Sequence, residues 1–126
     1  MKTCVITESF SCDPVKLWLY LAKPTLNGWC KEVREYEEDS DGMRAVECHT
    51  DGKEVQLQFT RREKGRCLSC TFQCGKISGS FTAILFGGGD STTLEGTLEI
   101  QGLGLFAKPI KLLEARMTQL HSALGA

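Results

Sequence analysis

The chain lacks most of the features that would fix its class at once. No run of about 18 apolar residues occurs, so no membrane-spanning helix is predicted. With 15 Lys and Arg against 16 Asp and Glu, its net charge is −1, and the basic excess of a general nucleic-acid binder is missing. Only two histidines are present, His49 and His121, and no Ser–His–Asp arrangement can be assembled around them. His49 follows Cys48 directly, and successive strand residues point to opposite faces, so the two do not form a catalytic pair. The first 20 residues carry Glu8 and Asp13 where an export signal needs an unbroken apolar core. A cytoplasmic, reducing setting is therefore expected. The seven cysteines, an odd count, are expected as free thiols that behave as small hydrophobes.

Two motifs that suggest chemistry are excluded by their context. In Cys67-x-x-Cys70-x-x-x-Cys74 the segment reads as a strand, so Cys67 faces away from the other two. Cys70 and Cys74 then lie roughly 13 Å apart at about 3.3 Å per residue, too far to share one metal. Gly102-x-Gly104-x-x-Ala107 fits a dinucleotide fingerprint, but no strand follows its helix to complete the binding unit. It reads instead as a hinge, with Gly102 and Gly104 as a gate beside the last helix. No metal and no cofactor are expected. Arg61, Arg62, Lys64 and Arg66, with Glu63 among them, read as a solvated hairpin tip, as does the acidic stretch from Glu35 to Asp41.

What is present is ordinary composition with strong patterning. Across 126 residues, 41% hydrophobic and 25% charged, one domain spanning 1–126 is expected. Phe106, Ile110, Leu113, Met117, Leu120 and Leu124 recur at steps of three and four, the stripe of one long helix. Pro109 suits its first turn and Gly125 its exit. Thr3–Phe10 reads as a first strand. Asp13-Pro14 then starts a short helix that stops before Lys23-Pro24, and Thr25–Trp29 holds a second short helix or an ordered loop. Six further strands follow: Glu32–Glu38, Met43–Thr50, Lys53–Arg62, Arg66–Cys74, Gly79–Phe86 and Thr92–Gln101. Turn residues separate them, and Asp51-Gly52 reads as a two-residue type I′ hairpin. Leu94, Gly96, Leu98 and Ile100 alternate with polar residues, as do Val55, Leu57 and Phe59, so the sheet is covered on one side. The class is α+β, with the long helix laid across a curved antiparallel sheet.

Phe10-x-x-Asp13-Pro14-x-x-x-Trp18-x-x-Leu21, Trp29-x-x-x-Val33, Gly42-Met43-Arg44, Asp51-Gly52, Glu63 and the terminal helix follow in an order that resembles the START-like superfamily, also called polyketide cyclase or Bet v 1-like (SRPBCC). The resemblance spans essentially the whole chain. It implies a helix-grip fold, with seven strands around the final helix and an internal cavity for an apolar ligand. Many relatives carry a polar, often acidic, residue in the fourth strand where this chain has Leu57. A leucine cannot move a proton, so no catalytic residue is carried over.

Strand parity and the helical stripe select Arg44, Val46, Leu57, Phe59, Phe72, Leu98, Phe106, Ile110 and Met117 as the cavity lining. Arg44, on the face of Val46 and Cys48, is the expected polar anchor for a ligand anion. The first expectation is a carrier or sensor of a lipid-, aromatic- or polyketide-like molecule, acting as monomer or homodimer without nucleic acid. The alternatives are a chaperone-activator-like interaction module with a filled core and a cyclase- or aromatase-like enzyme working largely by orientation.

Overall fold

Alternating residues build the strands, and glycine-bearing turns separate most of them. The computed structural model describes residues 1–104 and 107–125. In order, the chain forms β1 (Lys2–Phe10), α1 (Pro14–Ala22), a 3-10 turn (Leu26–Gly28), β2 (Val33–Glu38), β3 (Arg44–His49), β4 (Glu54–Glu63), β5 (Cys67–Cys74), β6 (Ile77–Gly88), β7 (Ser91–Gln101) and α2 (Pro109–Leu124). The strands make a curved antiparallel sheet in the order β1-β7-β6-β5-β4-β3-β2. β2 to β7 are thus a meander, and β1 joins its far edge beside β7. The helices cover one face, on which the alternation of β7 buries Thr92, Leu94, Gly96, Leu98 and Ile100.

The Asp13 carboxylate accepts from the Lys16 backbone N–H at 3.0 Å and starts α1. The Trp18 indole N–H donates to the Cys67 carbonyl at 2.9 Å, tying α1 to β5. Trp29 donates to the Tyr20 carbonyl at 2.8 Å, which folds the 3-10 segment back on the exit of α1. Predicted and observed strand limits differ most at β6, which begins at Ile77 rather than Gly79 because the turn after Cys74 is tight.

α2 buries Pro109, Leu113, Met117 and Leu120. At its far end the His121 ring stacks on Phe10 with centroids 4.1 Å apart. Gly125, at φ 71°, closes the helix. The predicted start at Phe106 lies outside the described residues.

β3 corrects the sequence reading. A two-residue turn at Asp51-Gly52 pairs Thr50 with Lys53 and turns Arg44, Val46 and Cys48 inward. The observed loop has three residues, Thr50 to Gly52: the His49 N–H donates to the Lys53 carbonyl at 2.8 Å. Gly52 takes φ 90°, the left-handed position that ends such loops. The register becomes Ala45↔Leu57 and Glu47↔Val55, and a shift of one residue exchanges the faces of the whole strand. Ala45 and Glu47 are buried and Arg44 is exposed.

Candidate functional site

Between the covered face of the sheet and α2 lies a cavity of about 460 Å³. Leu57, Phe59, Phe72, Leu98 and Met117 from the expected lining stand in its wall. Cys70, Phe81, Ile100 and Leu113 extend the apolar surface. Asp51, Lys53 and Leu112, all exposed, mark its rim.

The remaining expected residues lie elsewhere. Arg44 and Val46 belong to the outer face, where Arg44 stands with Gln56, Gln58 and Thr71 around an open polar hollow. The three-residue β3–β4 loop is the reason. Ile110 is 37% exposed. It lies about 60° round the helix from Leu113, on the flank opposite Arg116, at about 100° per residue. The buried stripe is therefore completed by Pro109 rather than Ile110. Phe106 is outside the described residues. Gly102 has φ 92°, and a side chain there would collide with the Lys76 carbonyl oxygen. Gly104 has open space around it.

The polar pole of the cavity is a cluster that sequence reasoning missed. Glu47 on β3 is 5% exposed. Arg116, half-buried on α2, grips it with both terminal nitrogens: Nη2 donates to Oε1 at 2.7 Å and Nη1 to Oε2 at 3.3 Å. The Nε of Arg116 lies 3.3 Å from a Glu32 carboxylate oxygen. His49 Nε2 is 3.0 Å from Glu47 Oε1. Gln119 donates to Glu32 at 2.8 Å and accepts from the Lys31 backbone N–H at 2.7 Å. Four of these side chains, Glu32, Glu47, His49 and Arg116, line the cavity. Burial by itself would raise the Glu47 carboxyl, but hydrogen bonds from His49 and Arg116 outweigh it and hold the group at about 2. Arg116 is shifted up: burial opposes its charge, and the Glu47 carboxylate more than compensates.

One signal for this cluster was in the sequence. Arg116 is three residues past Leu113 and next to Met117, on the flank of the apolar stripe. Glu47 was hidden, because its face depended on the length of one loop. Burial pushes Cys70 in the wall up to about 11 and Cys30, beside the cluster, up to about 12, so neither of these two thiols is activated as a nucleophile.

No protein-family model and no curated protein matches this sequence. Solved structures do match along nearly its full length. A conserved protein from Geobacillus kaustophilus superposes with a TM-score of 0.78 at 11% identity, over 98% of this chain and 95% of that one. A START superfamily protein from Mycobacterium smegmatis gives 0.73 at 14%, over 97% and 93%. CalU16 from Micromonospora echinospora gives 0.74 at 18%, over 97% and 75%. The fold is the START-like helix-grip fold. At these identities the likeness speaks for the fold alone.

Proposed function

We propose that the chain binds one apolar or amphipathic small molecule, of lipid-, aromatic- or polyketide-like character, between the sheet and α2. The reading makes it a carrier or sensor, working in the cytoplasm as monomer or homodimer, without metal, cofactor or nucleic acid. The observation that carries it is the make-up of the cavity. Its volume of about 460 Å³ falls in the range of small-molecule sites, and its wall is apolar apart from one convergent polar cluster. An interaction module would instead favour an interior packed to ordinary density. Entry runs past the exposed rim, with Gly102 and Gly104 as the proposed gate.

An uncharged fluorescent probe such as Nile red should bind the native protein saturably and be displaced by an apolar competitor. Absence of saturable binding overturns the reading. Native mass spectrometry of freshly purified protein is the route to the ligand itself.

One observation favours a second reading, an enzyme of cyclase or aromatase type. The His49–Glu47 hydrogen bond beside Arg116 places a carboxylate-oriented imidazole and a guanidinium in one apolar chamber. If the recovered ligand is converted on incubation, His49→Asn should abolish conversion and spare binding.

A further inference from the structure

We infer that the cavity selects a ligand whose polar head donates hydrogen bonds and carries no negative charge, an alcohol or an amine on an apolar body, and that it rejects carboxylates. The inference rests on the reading that the cavity binds a small molecule, and it reverses the expectation attached to Arg44.

The charge count of the polar pole is the first argument. Arg116 is its one guanidinium, and each of its three nitrogens already faces a carboxylate oxygen of Glu32 or Glu47. With the His49 imidazole neutral, two carboxylates against one guanidinium leave a net charge of −1. With the imidazole protonated the sum is zero. Asp51 and Lys53 at the rim cancel each other, so in neither state is there a positive surplus for an anion. A ligand carboxylate would be desolvated beside two others that share a single cation, the arrangement that most opposes ionisation.

Acceptor capacity is the second argument. Among the described residues, Glu47 Oε1 takes bonds from Arg116 and His49, whereas Oε2 takes a single long one from Arg116 Nη1 at 3.3 Å. A carboxylate oxygen accepts about two hydrogen bonds. Oε2 therefore keeps room for a donor, on a side chain 7% exposed in the cavity wall. A hydroxyl or ammonium can donate to it; a carboxylate has no proton to give and adds a third negative charge.

Geometry supplies the third argument. The pole is held from three sides: β3 carries Glu47 and His49, α2 carries Arg116, and the segment before β2 carries Glu32. Gln119 holds Glu32 in turn. The polar groups are thus fixed before a ligand arrives, so discrimination does not require the site to rearrange.

Displacement of bound Nile red by decan-1-ol, decylamine and decanoate, three heads on one tail, tests the inference. The alcohol and the amine should compete at least tenfold more strongly than decanoate. Glu32→Gln, at the partly exposed edge of the cluster, keeps the Glu47–Arg116 pair and should narrow the gap severalfold by strengthening decanoate. Glu47→Gln should narrow it further; unfolding of that variant would leave the Glu32→Gln measurement to decide. Decanoate binding as tightly as the alcohol overturns the inference while leaving the binding reading intact. A gap unchanged in Glu32→Gln also overturns it, because the selection would then come from elsewhere. If none of the three displaces the probe and the probe itself does not saturate, the binding reading falls and takes the inference with it.

Discussion

Glu47 is the residue on which most of the local energetics turns. A carboxylate this buried needs hydrogen bonds to both oxygens and an opposite charge at hand, and Arg116, with His49 on Oε1, supplies them. Its carboxyl sits at about 2 against an ordinary 4.5. A depressed folded value means that its contribution is complete above the ordinary value and shrinks as pH falls toward the folded one. Stability should therefore drop between about pH 4.5 and pH 2, by on the order of 3 kcal/mol from this group. The groups around it are Arg116 on α2, His49 on β3, Tyr36 on β2, Cys70 on β5, and Cys30 and Glu32 before β2. Of these, Glu32 is also depressed: burial opposes it, and bonds from Gln119 and its neighbours outweigh that. It adds to the same acid slope. Urea unfolding at a series of pH values checks this, and in Glu47→Gln the slope should flatten. That variant leaves Arg116 without its main partner and should cost about 3–5 kcal/mol at neutral pH. Pairing Glu47→Leu with Arg116→Met should recover much of the loss, because two apolar side chains owe no desolvation.

One loop and one helix decide what faces the cavity at the scale of elements. The three-residue β3–β4 loop depends on Gly52 at φ 90°. A Cβ there would touch nothing within 4 Å, so Gly52→Ala isolates the backbone term and should lower stability by about 1–2 kcal/mol. Asn, which tolerates that region better, should cost less. Equal denaturation midpoints for Gly and Ala would count against the loop as drawn. On α2, Leu113→Asp puts an unpaired charge at the centre of the helix–sheet contact, where Leu113 is 6% exposed. A loss of several kcal/mol in chemical denaturation is expected. These two elements also mark how far the sequence could be read. α2 was legible because a stripe at steps of three and four has one geometric meaning. Most strands were legible because their alternation is one-sided. β3 was not: Ala45 is weakly apolar, Glu47 is charged, and Val46 and Cys48 on the other face look more like a core. Only the register, set by a loop whose Asp-Gly pair suits two lengths, could decide. Of the expected lining, Leu57, Phe59, Phe72, Leu98 and Met117 stand in the cavity wall; Glu47 was hidden by that register, whereas Arg116 was readable on the flank of the helical stripe.

For the molecule as a whole, the question is whether the space under α2 is a working volume or a gap that packing closes. Native interiors tolerate few voids larger than a water molecule, so an apolar space of about 460 Å³ is a standing cost unless something occupies it. A ligand that binds only the folded state repays that cost by mass action, about 2.7 kcal/mol at a hundredfold excess over Kd. For a chain of 126 residues this predicts a rise in Tm of several degrees on saturation with a binder such as decan-1-ol. Leu57→Trp separates the two cases. Leu57 is half-buried and faces the cavity from the middle of β4, so an indole there has room to enter without displacing the sheet. If the space is real, the variant should keep or gain stability without ligand and lose both Nile red binding and the ligand-dependent rise. If the interior closes in solution, the indole meets packed side chains, and the variant should lose about 1–3 kcal/mol. In that case the parent shows no ligand-dependent rise to lose. Thermal unfolding of parent and variant, each with and without decan-1-ol, distinguishes the outcomes in four melting curves. The pattern that keeps the helix-grip cavity as a binding site is a rise in the parent and none in an equally stable variant.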